Sequence, residues 1–543
     1  MAFWTSRRGL LKGAAGVSAA AGLAGCASAQ INGLDRTRRS LDISNQGEPL
    51  SLDPHKASGV WENNIIGNMF VGLTTEDERA QPVPGMALRW DTSENGLTWT
   101  FHLRQADWSD GTPVTAHDFV FAFRRLLDPA SLSEYAAVQF AIKNAEAINS
   151  GQITDLTQLG VRAIDDRTLA IDLEYPAAYL PSLLKHYTAY CVPRHVVERH
   201  GADWTAPENI VVNGPFTLIK WWSNYIVHLE HNPAFYDADN VAFRELFFYP
   251  TTDTNVGARG VAAGERGWAT DFPSNQVAEL RVEMPGYVRV SPYMLVQYFS
   301  LNTTRAPFND ARVRRALAMS LNREFMAEEI YRTGEVPAYS FVPPGLANYL
   351  PGARYPWAGM ALAQRREEAR RLLQEAGFGP NNPLDFTFKH RNTGANPRVA
   401  VVVQADWSEI APWVRVRLAG VETQIHYANL RAKNFQAGDG GWVADFNDPK
   451  NYLFLCETRT GPQNYSGYSN PEYDRLVAAS DRERDLTRRA EMMRDAEQLM
   501  LNDAPLVCNV FGVTRNLVHP ALTGYQDNVE DIHRARWFGM RDV

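Results

Sequence analysis

The residues with the clearest potential for ligand chemistry lie in the stretch GDGGWVADFNDP, residues 438–449. Three glycines surround Asp439 and leave the backbone bare, and Trp442 and Asp445 follow at once. Glycine in a strand often marks a place where another backbone comes close. The pattern therefore predicts a surface where an extended chain lies against bare backbone, beside one aromatic and one acidic side chain.

Motifs for catalysis or metal binding are missing from the sequence. No G-x-S-x-G, H-E-x-x-H, Walker or G-x-G-x-x-G pattern occurs in its required context. Of the two close histidine pairs, His228 and His231 fall in a strand-like segment, where residues three apart point to opposite faces. His195 and His200 are spaced too widely for one helical face. We predict no catalytic residue, no metal site and no cofactor.

Length and composition describe a multidomain globular protein. A chain of 543 residues is too long to fold around a single hydrophobic core, so its length predicts two to four domains. Its 45% hydrophobic and 21% charged residues are ordinary values. The formal net charge of -8 argues against nucleic-acid binding.

Strand and helix patterns alternate along the chain. Residues 97–104 (LTWTFHLR) and 168–175 (TLAIDLEY) alternate apolar and polar side chains, which predicts half-buried strands. Residues 115–129 (TAHDFVFAFRRLLDP) begin with a capping box and predict a helix that ends before the proline. The expected fold class is α/β.

The amino terminus has the features of an export signal. Arg7 and Arg8 precede a short apolar run that ends in LAGC at Cys26, and SRRGLL is similar to a twin-arginine signal. We predict that residues 1–26 form a signal peptide ending at a lipidated Cys26, which would anchor the protein in the periplasm or cell envelope. The alternative is cleavage after Ala29, without an anchor.

Three cysteines remain in the mature chain, Cys191, Cys456 and Cys508, and they show no C-x-x-C spacing. An odd number of thiols without such spacing favours buried free cysteines over disulfides.

Five segments together resemble the oligopeptide-binding family, the extracytoplasmic solute-binding proteins of peptide ABC transporters. The segments are EPLSLDPHKASG (48–59), GLTWTFHLRQADWSDGTPVTAHDFVFAFRRLLDP (96–129), NGPFTLIKW (213–221), APFNDARVRRALAMSLNRE (306–324) and GWVADFNDPKNYL (441–453). The resemblance implies a monomeric receptor, not an enzyme. Such a receptor hands oligopeptides to an inner-membrane permease with its ATPase subunits.

The same resemblance implies a two-lobed periplasmic-binding-protein fold of type II with an extra inserted domain and a hinged cleft between the lobes. Domain I would comprise residues 27–70, 193–294 and 513–543. Domain II, residues 71–192, would be the insertion packed on domain I. Domain III, residues 295–512, would form the second lobe.

The resemblance also assigns roles to particular residues. Asp445 matches the aspartate that binds the ligand's amino terminus, whereas a cap of the following NDP turn is the ordinary alternative. Trp442 would line a side-chain pocket, and Tyr135 would contact the ligand. Exposed strands from both lobes would pair with the ligand backbone through Gly440 and Gly441 on one lobe and Ser58, Gly59 and Val60 on the other.

Two departures from the family separate this chain from the best-known peptide binders. Asp439 stands where those proteins have an arginine that neutralises the ligand's carboxylate, and an acid there would repel a carboxylate. Arg259 could compensate, or the ligand could be longer or end without an anion. Leu295 and Val443 replace two cysteines that some members join by a disulfide, and an apolar contact could take over that role.

Three other functions stay open at this stage. The same scaffold could bind an opine, an oligosaccharide or a metal complex, although a sugar would not need Asp445. An exported peptidase would require a nucleophile and a base that converge in the cleft. A purely structural lipoprotein would require a cleft that binds nothing.

Overall fold

The computed structural model describes residues 33–350 and 352–541. The predicted signal peptide and Cys26 lie outside the described residues.

The described chain forms the following strands: β1 (Leu34–Asp35), β2 (Ser40–Ser44), β3 (Thr74–Glu76), β4 (Pro82–Pro84), β5 (Ala87–Thr92), β6 (Thr98–Leu103), β7 (Val161–Asp165), β8 (Thr168–Asp172), β9 (Phe216–Trp222), β10 (Ile226–His231), β11 (Glu245–Tyr249), β12 (Trp268–Ala269), β13 (Val288–Leu301), β14 (Val336–Pro337), β15 (Leu384–Arg391), β16 (Val414–Val421), β17 (Ala437–Val443), β18 (Leu506–Val518), β19 (Leu522–Thr523) and β20 (Gly539–Met540).

Its α-helices are α1 (Val60–Met69), α2 (Ala116–Leu127), α3 (Ala145–Asn149), α4 (Leu180–Leu184), α5 (Arg194–His200), α6 (Thr254–Ala262), α7 (Val277–Glu283), α8 (Ala311–Ser320), α9 (Arg323–Phe325), α10 (Leu362–Glu375), α11 (Asn396–Ser408), α12 (Thr423–Arg431), α13 (Lys450–Leu453), α14 (Pro471–Ser480) and α15 (Leu486–Asp503). Short 3-10 segments and one π turn, Met326–Tyr331, complete the helical structure.

The local patterns in the sequence form the predicted elements. The alternating stretches become β6 and β8, which pair antiparallel in one four-stranded sheet. Thr115 is the N-cap of α2 and forms a reciprocal capping box with Asp118. These predictions are confirmed because each depends on short-range periodicity or capping.

One mixed sheet runs through most of the molecule in the order β16-β15-β17-β13-β18-β12-β2-β11-β10-β9. Its long central strands, β13 and β18, pair antiparallel over much of their length, with register shifts between Pro292 and Val296 and between Gln297 and Tyr298. β17 pairs with β13 on the other side, so the glycine-rich stretch lies inside this sheet.

The described residues form two large hydrophobic cores. The first draws on residues between Leu34 and Trp268 and on the chain end from Val518 to Phe538. The second draws on residues between Met294 and Phe511. β13 and β18 extend from one region to the other and connect the two halves. The exact domain boundaries given above remain predictions.

The three cysteines of the described chain, Cys191, Cys456 and Cys508, are buried and free, which confirms the prediction of structural thiols. None of the helices formed by residues 33–350 and 352–541 combines the length and the apolarity needed to cross a bilayer.

Candidate functional site

Asp445 and Trp442 are held together by one amide side chain. The Trp442 indole N–H donates to Asn451 Oδ1 at 2.8 Å, and the backbone N–H of Asp445 donates to the same oxygen at 3.2 Å. Asn451 is buried on α13, and the Trp442 ring packs edge-on against Phe454 at 5.4 Å. Asn451 therefore fixes the relative position of the aromatic and acidic groups that the sequence singled out.

Asp445 is a partly buried carboxylate that lacks a cationic partner among the described residues. Burial raises its pKa to about 6, and a hydrogen bond with the Asn451 side chain offsets only part of this effect. A desolvated carboxylate gains most from a positive charge brought to it. Among the described residues, no backbone N–H of the following turn donates to the Asp445 carboxylate, so the turn-cap alternative is not supported.

Tyrosines from both halves of the molecule lie close enough to Asp445 for its charge to affect their pKa values. Burial, and then the charge of Asp445, raises the pKa of Tyr135. Asp445 also contributes to raised pKa values, after burial, at Tyr187, Tyr293 and Tyr452. Tyr135 and Tyr187 belong to the first half, with ring centres 6.4 Å apart. The structure thus brings Tyr135, predicted from a distant segment, near Asp445.

Contacts within the protein explain why β17 has glycine at positions 440 and 441. A Cβ atom on Gly440 would lie 2.9 Å from the Tyr298 ring, and one on Gly441 would lie 2.8 Å from Oε1 of Gln297. Tyr298 and Gln297 are the direct register partners of these glycines on β13. The neighbouring strand therefore requires glycine at both positions, and contact with a ligand backbone remains a prediction.

The expected exposed strand at Ser58, Gly59 and Val60 is wrong. Gly59 is the N-cap of α1, and Val60 is the first residue of this helix. The backbone N–H groups of Ser58 and Gly59 donate to the Glu62 carboxylate at 2.9 and 2.7 Å. Glu62 three residues after Gly59 is a capping signal that outweighs strand formation here, so these residues offer a helix start, not a sheet edge.

Asp439 is neutralised within the protein. The Arg391 Nε donates to its Oδ2 at 2.7 Å, and the Arg391 backbone N–H donates to its Oδ1 at 2.9 Å. The His426 Nε2 lies 3.0 Å from Oδ1 and 2.7 Å from the Asp439 carbonyl oxygen. Burial would raise the pKa of Asp439, but His426 and Arg391 outweigh it and the pKa is lowered. Asp439 is thus a charged side chain with its own counter-ion.

The remaining predicted positions are placed as follows. Arg259 is exposed on α6, close enough to lower the pKa of the Asp253 N-cap after the larger effect of Asn255. Among the described residues, no hydrogen bond, ion pair or ring contact joins Arg259 to the site around Asp445. Leu295 and Val443 are direct register partners across β13 and β17, so the two apolar residues do face each other at the predicted cross-link.

One cluster with possible metal ligands was not predicted. Ligand atoms of His228, Glu230 and Glu245 lie within 4.8 Å of one another on β10 and β11. Arg38 binds the Glu245 carboxylate at 2.9 Å, which already supplies a positive charge. Glu230 is exposed, so an ion pair on the sheet surface accounts for the cluster.

Sequence reasoning missed four residues of the site: Asn451, Tyr187, Arg391 and His426. Arg391 and Asp439 are 48 residues apart in the sequence, and a contact over this distance leaves no local pattern. Asn451 lies in the quoted segment GWVADFNDPKNYL, and its place six residues after Asp445 was the one available signal.

Comparisons with known proteins agree with this architecture. Residues 81–464 match the family described as bacterial extracellular solute-binding proteins, family 5. The periplasmic oligopeptide-binding protein OppA of Salmonella typhimurium is 35% identical over 505 residues, covering 91% of this chain and 92% of that protein.

Two solved structures of related binding proteins align with this chain over most of its length. The unliganded open form of MppA, a periplasmic murein tripeptide-binding protein, aligns with a TM-score of 0.84 at 32% identity, covering 93% of this chain and 97% of that one. Haemophilus influenzae OppA in complex with RPPGFSPFR aligns with a TM-score of 0.75 at 31% identity, covering 93% and 99%. The fold is accordingly the two-lobed type II fold, and the chain belongs to the bacterial extracellular solute-binding proteins of family 5.

Proposed function

We propose that this protein is the substrate-binding component of an ABC importer and that it binds oligopeptides in the cleft between its lobes. The observation that carries the proposal is that Asp445 is a desolvated carboxylate without a cationic partner among the described residues. An enclosed peptide ammonium would supply the missing charge through charge-assisted hydrogen bonds. The sequence similarity to a periplasmic oligopeptide-binding protein supports the same ligand class.

The other site residues have supporting roles in this proposal. Trp442, fixed by Asn451, forms one wall of a side-chain pocket, and Tyr135 contacts the ligand from the opposite lobe. The backbone of Gly440 and Gly441 pairs with the extended ligand. Ser58, Gly59 and Val60 meet it at the start of α1, with carbonyl groups and the Val60 side chain, because two of their N–H groups are already bonded to Glu62.

Binding should be measured by calorimetry with peptides of two to seven residues, each with a free and an acetylated amino end. We expect acetylation and Asp445→Asn each to weaken binding at least tenfold, since either change removes one member of a buried ion pair. The matched control is Glu283→Gln, which removes one negative charge from an exposed position of α7. Equal affinity for free and acetylated peptides would rule out ammonium capture.

We further propose that the protein acts as a monomer in the periplasm or cell envelope, without catalysis. It delivers its ligand to an inner-membrane permease and the associated ATPase subunits. Prolonged incubation with a bound peptide, followed by mass spectrometry, should return the peptide intact. Appearance of cleavage products that depend on the protein would instead indicate a peptidase.

The amino-terminal signal is proposed to be of the twin-arginine type and to end at a lipidated Cys26. Mass spectrometry of the mature protein distinguishes the two cleavage sites. We expect a chain that begins at Cys26 and carries lipid, and Cys26→Ala should release the protein from the membrane fraction. A mature chain that begins at Gln30 would show cleavage after Ala29 and no anchor.

A further inference from the structure

The hairpin that joins β9 and β10 carries an aromatic pair outside the proposed binding site. Trp222 and Tyr225 are 56% and 57% exposed. In residues 33–350 and 352–541, every other tryptophan and tyrosine is buried or half-buried. Large aromatic rings gain free energy when they leave water, so two such rings at one tip indicate a surface that something else covers.

The hairpin holds this pair in a fixed arrangement. A two-residue turn is closed by a hydrogen bond from the Tyr225 backbone N–H to the Trp222 carbonyl oxygen at 2.9 Å. The two ring centres lie 4.6 Å apart, and the Lys220 ammonium lies 5.0 Å from the centre of the Trp222 ring. Residues 219–226 (IKWWSNYI) contain no acidic side chain. We call Lys220, Trp222 and Tyr225 the aromatic tip.

The chemistry of the aromatic tip suits the surface of a phospholipid bilayer. Tryptophan and tyrosine concentrate at membrane–water interfaces because their rings are apolar while their N–H or O–H groups still reach water. A lysine beside them can extend its ammonium group to the lipid phosphates. Because the tip has no acid, it avoids the repulsion between the negatively charged protein and an anionic bilayer.

The described chain begins on the same sheet as the aromatic tip. The Asp42 N–H of β2 donates to the Gly33 carbonyl oxygen at 2.8 Å. Strand pairing then continues from Asp42 through Phe247 on β11 and His228 on β10 to Lys220 on β9. Gly33 is thus level with Lys220 and four strand spacings away from it, a distance of about 19 Å.

The tether between this point and the proposed lipid on Cys26 is short. Cys26 precedes Gly33 by seven residues, and seven residues span at most about 25 Å in any conformation. A bilayer that holds the lipid must therefore lie within this distance of Gly33. The aromatic tip lies at a similar distance from Gly33, so the tether keeps the bilayer within its reach.

The aromatic tip also lies at the edge of the sheet that serves the cleft. Trp221 is level, through β10, with Phe248 and Ile43, each one residue before the end of the parallel strands β11 and β2. In open α/β sheets, ligands bind at the carboxyl ends of parallel strands. A tip that rests on the bilayer therefore turns the cleft edge of this lobe toward the membrane.

We propose that the aromatic tip is a membrane contact, in which Trp222 and Tyr225 enter the interface of the phospholipid bilayer that holds the lipid on Cys26. The lipid attaches the protein, and the tip orients it with the cleft edge toward the bilayer. This inference rests on the proposed anchor and is independent of the ligand that the cleft binds.

The test uses the full lipidated protein in phosphatidylcholine vesicles that contain phosphatidylglycerol and nitroxide-labelled lipids, which quench a nearby fluorophore. Ser223→Cys supplies a labelling site at the tip, since the three other cysteines of the described chain are buried. We expect the label at position 223 to lose more than half of its emission. A label on Gln364→Cys, at an exposed position of α10 in the second lobe, should keep most of its emission.

Two further variants test the role of the rings. Trp222→Ser combined with Tyr225→Ser should restore the emission of the label at position 223, because the tip then lacks its interfacial side chains. Phe325→Ser is the matched control, since it removes an aromatic ring that is 43% exposed on α9 and should leave the quenching unchanged. Both variants should bind peptide like the wild type, which shows that they are folded.

The possible results separate this inference from the earlier proposals. Equal quenching at positions 223 and 364 would overturn the membrane contact and leave the anchor and peptide binding in place. Unchanged quenching in the double variant would show that the tether alone brings the tip to the bilayer, and the inference would fail. A change in emission that depends on protein concentration without vesicles would assign the tip to contact with a second copy of the chain. A mature chain without lipid on Cys26 overturns the anchor and this inference together, but not peptide binding.

Discussion

At the scale of single residues, the pKa of Asp445 sets the pH range in which the proposed receptor can hold an ammonium group. Only the carboxylate form can pair with the ligand, and burial raises the pKa of the unliganded Asp445 to about 6. Below this pH a proton must leave before the ligand binds, so Kd should rise about tenfold for each pH unit. The affinity should be greatest near pH 7 and should fall again as the ligand's α-amino group, with a pKa of about 8, loses its proton.

Calorimetry of one peptide between pH 5 and pH 8 measures this dependence, and Asp445→Asn should give a weak and flat profile over the same range. A wild-type Kd that is the same at pH 5 and pH 7 would show that Asp445 does not meet the ligand's charge.

A second prediction at this scale concerns Asn451. Its side chain lowers the pKa of Asp445 and accepts hydrogen bonds from Trp442 and from the Asp445 backbone. Asn451→Leu keeps a similar volume but removes these bonds, so the midpoint of the pH profile should move above 6 and binding at pH 7 should weaken. Trp442→Phe removes the indole N–H and reduces the ring but keeps Asn451, so it should leave the midpoint in place. An unshifted midpoint in Asn451→Leu would contradict the positioning role.

Single residues also show where sequence reasoning stops. Asp445 and Trp442 could be identified because the resemblance to a family fixed their spacing. The apparent conflict at Asp439 could not be resolved, since its partner Arg391 is joined to it by parallel strand pairing over 48 residues. Gly440 and Gly441 were identified as strand positions without side chains, but the tyrosine and glutamine that occupy this space lie on another strand.

At the scale of elements, the segment after Asp445 is anchored by a buried ion pair. Asp448 accepts two hydrogen bonds from Arg489 on α15, at 2.7 and 2.8 Å, and both side chains are almost fully buried. Removing one partner leaves the other charge buried and alone, so Asp448→Asn should cost about 3–5 kcal/mol of unfolding free energy. Urea unfolding followed by circular dichroism measures this loss.

The matched control for this pair is Glu472→Gln on α14, where the partner Arg475 and the acid are both exposed. Solvent screens such a pair, and no measurable change in stability is expected. A similar loss in both variants would mean that the Asp448 effect does not come from burial.

Elements were predictable to the extent that their signals are local. Alternation identified β6 and β8, and the capping box identified α2. The segment at Ser58 was assigned to a strand because the resemblance emphasised ligand pairing, although Glu62 already provided the signal for a helix start. The order of strands in the central sheet depends on long-range pairing and has no such local signal.

At the scale of the whole molecule, the proposed ligand site is divided between the two halves. Asp445 and Trp442 belong to the second half, and Tyr135 and Tyr187 belong to the first. A ligand that contacts both halves binds best when they approach, and it therefore shifts the population toward a closed state. The connections that must bend are β13 and β18, whose pairing is already interrupted near Pro292.

A ligand that contacts both halves stabilises their approach, so the unliganded protein is expected to be the more open of the two states. We therefore expect saturating peptide to lower the radius of gyration measured by small-angle X-ray scattering. Asp445→Asn at the same peptide concentration should scatter like the unliganded wild type, since its two halves lack the charge that the ligand bridges. If calorimetry shows wild-type protein saturated while the scattering curve is unchanged, binding does not draw the halves together, and ligand delivery must depend on recognition of the peptide in an open cleft.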